Sequence, residues 1–145
     1  IKKATPKFDK YLDNRIARIV VFCKHTFELD LIQLNEALVG HLSAQSDEIN
    51  PLYFFNNRGA IFQNGINTRY SAIAAFGQFR YNHCNYDGNR FVVYHNPFAT
   101  TSLPKEIFLQ EFNIQRFFDI EEQADNKFLR IKEYCGDRLI EYPEV

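Results

Sequence analysis

No methionine occurs among the 145 residues, and the chain begins at Ile1, which predicts a processed product or a piece of a longer chain. Three cysteines, Cys23, Cys84 and Cys135, are too few and too scattered for a disulfide framework, and the odd count predicts at least one free thiol. Apolar runs all fall well short of the roughly 20 residues that a membrane-spanning helix needs, so no span is expected. Repeats, low-complexity tracts and a dividing linker are lacking too, which leaves one domain over 1–145 as the expectation. Acidic residues are also missing from a long stretch. Between 49 and 105, Asp87 stands alone against Arg58, Arg69, Arg80, Arg90 and Lys105.

What is present is the composition of a soluble globular protein, with 46% apolar residues, 24% charged residues and a net charge of −1. A chain of this length can bury a core of its own. The charge is arranged in blocks. Residues 1 to 18 hold six bases against two acids, and from 119 onward eight acids face four bases. A basic, aromatic and asparagine-rich middle followed by an acidic end suggests a site that holds an anionic group and acts on it with a carboxylate.

Local patterns predict a mixture of helices and strands. A short helix is expected near 7–14, followed by a buried strand in "RIARIVVFC". Asp30 and Gln33 form a capping-box pattern ahead of Leu31, Leu34, Leu38 and Leu42, whose spacing predicts an amphipathic helix over 31–43. "PLYFF" reads as a strand, and the alanine-rich "TRYSAIAAFGQF" as a helix ending near Gly77. Asp87-Gly88 between two aromatic runs is the signature of a two-residue hairpin. Ser102 and Pro104 predict a helix start ahead of "KEIFLQEFNIQRFF". "KFLRIKEY", "CGD" and "RLIEY" read as a final hairpin or two short strands. Irregular alternation of this kind predicts an α+β domain, a split and twisted β core flanked by helices.

The candidate chemistry begins with a negative. Cys23, His25, His83, Cys84 and His95 could ligate zinc one by one, but their spacing is not that of common zinc sites, and no metal is expected. Aromatics interleaved with arginines and asparagines over 53–98 could stack on bases and touch phosphates. That segment supports an alternative reading as a non-catalytic nucleic-acid-binding or protein-interaction domain.

Three separated pieces carry the principal reading: "LYFFNNRGAIFQNGI" with Arg58, "RFVVYHNPFATTSLPKEIF" with Thr100, Thr101 and Ser102, and "FLRIKEYCGDRLIEYPEV" with Glu141 and Glu144. In that order the pieces, spanning 52–145, resemble the arginine, serine-threonine-serine and glutamate motifs of the mono-ADP-ribosyltransferases of the cholera and pertussis toxin and ecto-enzyme type. Thr100 stands where that family's first serine usually lies, two residues separate Glu141 from Glu144 where the family has one, and residues 1–50 have no counterpart. The resemblance implies an NAD-binding part over 51–145, with cofactor contacts at Arg58, Gly59, Thr100, Thr101 and Ser102. It implies catalysis by Glu144 and Glu141, with NAD as cofactor. The reaction would be transfer of ADP-ribose to an acceptor, a protein in the first instance, with NAD glycohydrolysis beside it. A secreted or translocated toxin or effector is the implied setting. Each role has a chemical reason. A guanidinium holds a pyrophosphate by paired hydrogen bonds, short hydroxyls can bond a ribose, and a carboxylate stabilises positive charge developing on the sugar as nicotinamide leaves.

Overall fold

The computed structural model describes residues 16–23, 31–44, 53–56, 60–78, 89–123 and 126–140. Their architecture is dominated by one mixed sheet. It comprises β1 (Ile19–Cys23), β2 (His41–Ala44), β3 (Tyr53–Asn56), β4 (Ala72–Gln78), β5 (Asn89–His95), β6 (Asn113–Gln123), β7 (Asn126–Cys135) and β8 (Arg138–Ile140). The strand order is β1-β4-β5-β6-β7-β3-β2, with β8 also paired to β7. β1 lies parallel to β4 and β5 parallel to β6, and the other pairs are antiparallel. Among the described residues the helical elements are α1 (Leu31–Val39) and one 3-10 turn, Lys105–Phe108. The expected α+β domain with flanking helices is therefore corrected to a predominantly β domain.

The correction has local causes. "SAIAAFG", expected as a helix, is β4, an interior strand paired on both sides by β1 and β5 and covered on both faces. Ile73 and Ala75 join one buried cluster, and Ala72 and Ala74 the other. A strand buried on both faces shows no alternation of apolar and polar residues, so its sequence cannot be told from a buried helix. The helix expected from Ser102 is a single 3-10 turn whose N-cap, Pro104, makes no side-chain cap bond. Its expected continuation is strand β6. There Ile114, Arg116, Phe118 and Ile120 face one way and Asn113, Gln115, Phe117 and Asp119 the other, the period-2 pattern of a strand.

Other expectations survive in shorter or altered form. The helix expected over 31–43 stops at Val39, because Gly40 takes φ 94° and the chain turns directly into β2. Backbone N–H groups of Ile61 and Phe62 then satisfy the last-turn carbonyls of Ala37 and Leu38. β1 is present, but as an edge strand with Val21 and Phe22 exposed rather than as a buried one. β3 falls within "PLYFF", and β7 and β8 form the final hairpin across Gly136-Asp137. β5 pairs antiparallel with β4 from Ala72↔His95 to Gln78↔Asn89. The Asp87-Gly88 turn and the helix near 7–14 lie outside the described residues. Cys135 is disulfide-bonded, and Cys23 is free and exposed.

Each sheet face has its own core. On one, Leu34, Leu38 and Val39 of α1 pack with Phe62 on Ile73, Val92, Tyr94, Ile114 and Phe118. Full burial of each such side chain contributes about 1.5–3 kcal/mol. The other face is covered by the connection from β5 to β6. Parallel neighbours cannot be joined by a tight turn, so residues 96–112 must cross over the sheet. Leu103 and Phe108 of this crossover pack on Ala72, Ala74 and Val93.

Candidate functional site

The crossover leaves a pocket where it departs from the sheet. β5 ends at His95, whereas its parallel neighbour β6 continues to Gln123. The space beyond the end of β5 is a cavity of about 470 Å3 lined by Ser71, His95, Asn96, Pro97, Ser102, Leu103, Phe117, Phe118, Asp119 and Ile120.

A hydrogen-bond network fixes its mouth. Asn96 donates from Nδ2 to the carbonyls of Tyr70 at 2.9 Å and Asn67 at 3.3 Å, and its Oδ1 accepts from the Phe98 N–H at 3.0 Å. The Ser71 hydroxyl donates to the Thr101 carbonyl at 2.6 Å and accepts the Arg18 N–H at 2.9 Å. Three chain segments thus meet at Ser71 through one buried hydroxyl, and the start of the crossover is anchored before it reaches Ser102.

His95 forms the inner wall. It is 6% exposed, and its ring stacks on Phe117 with centroids 3.9 Å apart and planes at 13°. Its Nε2 lies 2.9 Å from Gln115 Oε1. Gln115 donates from Nε2 to the carbonyls of Lys105 at 3.0 Å and Phe108 at 3.1 Å. With its amide nitrogen committed to two carbonyl oxygens, Gln115 can offer only its oxygen to the imidazole. Burial lowers the His95 pKa below the ordinary histidine value, and the Gln115 hydrogen bond opposes this more weakly. The Asp119 carboxylate on the same sheet face pairs with Lys132 at 2.9 Å, and both side chains are half exposed.

The depressed His95 pKa has a pH signature. At a pH between the folded pKa and 6.5, the unfolded chain binds a proton that the folded one does not, so folding is disfavoured there. Stability present above pH 6.5 is thus expected to fall as the pH drops through 6.5 toward the folded value. Urea unfolding at pH 7.5 and 5.5 checks this. The wild-type loss should exceed that of His95→Gln, and equal losses would show that His95 contributes nothing to the slope.

Of the residues singled out by sequence, Ser102 is exposed and lines the pocket. Thr101 offers its carbonyl to Ser71, and Thr100 is exposed and donates its N–H to the Thr68 carbonyl at 2.7 Å. Arg58, Gly59, Glu141 and Glu144 lie outside the described residues. Arg90, one of the cations expected on a nucleic-acid surface, is 2% exposed within β5. Sequence reasoning missed Ser71, His95 as a pocket residue, Asn96, Gln115, Phe117 and Asp119. Period-2 alternation in "NIQRFFDI" was the available signal for three of them, since it puts Gln115, Phe117 and Asp119 on one face. Among the described residues, no three His, Cys, Asp or Glu side chains cluster as a metal site. No helix among them is long and apolar enough to cross a membrane.

No protein-family model matches the chain, and no curated protein or solved structure matches it either.

Proposed function

We propose that this pocket binds NAD and that the chain transfers ADP-ribose from it to an acceptor, with NAD hydrolysis as the competing reaction. The observation that carries this reading is the placement of Ser102, the last residue of the Thr-Thr-Ser run, at a pocket walled by the Phe117 ring. A volume of about 470 Å3 lies within the roughly 300–1,000 Å3 of small-molecule sites. It suits one half of a dinucleotide, with Phe117 as an apolar wall for a planar ring and the Ser102 hydroxyl as a partner for a ribose. Among the described residues the pocket lining holds no lysine or arginine, and the reading gives the pyrophosphate role to Arg58 and the carboxylate role to Glu144 and Glu141.

A titration with NAD tests the reading. At a ligand concentration a hundred times Kd, specific binding stabilises the fold by about 2.7 kcal/mol. NAD is therefore expected to raise the melting temperature of the wild type by several degrees, less for Ser102→Ala and least for Arg58→Ala. A melting temperature unmoved by millimolar NAD overturns the proposal.

A further inference from the structure

The network around His95 fixes the direction of one hydrogen bond, and that direction determines what the pocket can recognise. Gln115 presents Oε1 to the ring because its Nε2 is held by two carbonyls of the crossover. An oxygen facing Nε2 at 2.9 Å requires the proton on Nε2. The neutral imidazole then carries none on Nδ1, a lone-pair acceptor with no hydrogen-bond partner among the described residues. Stacking on Phe117 holds the ring plane, and burial favours its neutral form.

We infer that His95 Nδ1 is a fixed hydrogen-bond acceptor that selects ligands presenting a neutral hydroxyl or amide donor to this pocket, with Gln115 as the positioning residue that sets the tautomer. Naming the donor as a ribose hydroxyl or the carboxamide of NAD rests on the reading above. Protonation of Nδ1 would turn the acceptor into a donor and oppose binding.

Other charges around the ring are already engaged or lie elsewhere. β4 holds no titratable residue. On β6 and β7, Asp119 pairs with Lys132 and Glu121 with Arg130, and Arg116 and Glu133 pair on the opposite face of the sheet. From the crossover, the Lys105 ammonium sits 4.4 Å over the Tyr134 ring, and Glu106 is exposed. Tyr94 points into the opposite core. Asp119 is the one anion in the pocket lining among the described residues, so a pH dependence of binding is assigned only if it vanishes with His95.

Two measurements on the full chain test the inference. Long-range 1H–15N correlation spectra of histidine-labelled protein, with His95→Gln for assignment, should show the Nε2–H tautomer, and NAD should shift the Nδ1 resonance. NAD affinity of the wild type should fall between pH 7.5 and 5.0, while that of His95→Gln, whose amide oxygen stays an acceptor at both pH values, should stay flat. An Nδ1–H tautomer overturns the inference whether or not NAD binds. So does NAD binding that leaves Nδ1 unmoved or keeps the same pH slope in His95→Gln, and in that case the NAD reading stands. If NAD fails to bind, nicotinamide and ribose serve as probes. A shift of Nδ1 by either keeps the inference and removes only the NAD reading, and no shift by either overturns both.

Discussion

Glu133→Ala is expected to lower the free energy of unfolding by about 3–5 kcal/mol, a large share of the roughly 5–15 kcal/mol that holds a domain together. Glu133 is wholly buried on β7, and it forms a salt bridge with Arg116, which lies directly opposite it on β6. This pair sits within the apolar cluster beneath α1. The guanidinium lies 5.6 Å from the centre of the Tyr94 ring, which stacks on Phe118 at 6.3 Å. Removing the carboxylate takes from the buried guanidinium its ion-pair partner across the strand pair, and breaking one half of a buried pair costs more than the pair itself contributes. The same argument predicts that Arg116→Met combined with Glu133→Leu costs less than Glu133→Ala, because both charges of the pair then leave the apolar cluster together. Guanidinium chloride unfolding of the three proteins decides the matter. A loss below about 1 kcal/mol in Glu133→Ala would mean that the pair is solvated.

The β7–β8 turn sets up the second large effect. Gly136 has φ 60°, and a Cβ there would stand 3.2 Å from the Leu109 carbonyl oxygen and 3.3 Å from Glu111 Cα. Both are backbone atoms of the crossover, which cannot swing aside as a side-chain end could. Gly136→Val therefore combines the roughly 1–2 kcal/mol cost of a left-handed backbone for a non-glycine residue with displacement of the crossover, about 2–4 kcal/mol together. Gly65 supplies the control. It has φ 78° but open space around its Cβ position. Gly65→Ala should cost only the conformational part, about 1 kcal/mol, and Gly136→Ala measurably more. Thermal unfolding of the two alanine variants gives the comparison, and equal losses would show that the crossover yields freely.

The two sites share a cause. Gly136 donates its N–H to the Asn113 carbonyl at 2.9 Å, where the crossover enters β6. Two residues along β6 lies Gln115, whose amide grips the 3-10 turn and orients His95. A distortion at Gly136 should thus be felt in the pocket as well as in stability.

How much of this was legible in the sequence differs by element. α1 is visible because Leu31, Leu34 and Leu38 repeat at helical spacing, but its end is not, because Leu42 continues that spacing past Gly40. The last hairpin is visible because "CGD" can only turn. β4 is hidden because its alanines are chosen for a crowded sheet interior, and that choice looks the same as helix propensity. The start of β6 is hidden by a local signal that loses. Ser102 and Pro104 favour a helix start, but ten backbone pairings with β7, from Ile114↔Cys135 to Gln123↔Asn126, hold the following residues extended. In the pocket, Ser102 was singled out through the resemblance of its Thr-Thr-Ser run, whereas His95 and Gln115 are 20 residues apart and meet only because β5 and β6 lie parallel in register.

By itself, then, the sequence determined what local forces decide: the helix of α1, the strands β1 and β3, the glycine turn after Cys135, and the hydroxyl-rich run that ends at Ser102. Tertiary structure decided the rest. Whether an apolar run becomes strand or helix, which strand carries Arg116 to Glu133, and which side chain meets the His95 ring all depend on pairings between residues far apart in the chain. The energy of those pairings comes from burial and hydrogen bonds that exist only once the sheet has formed.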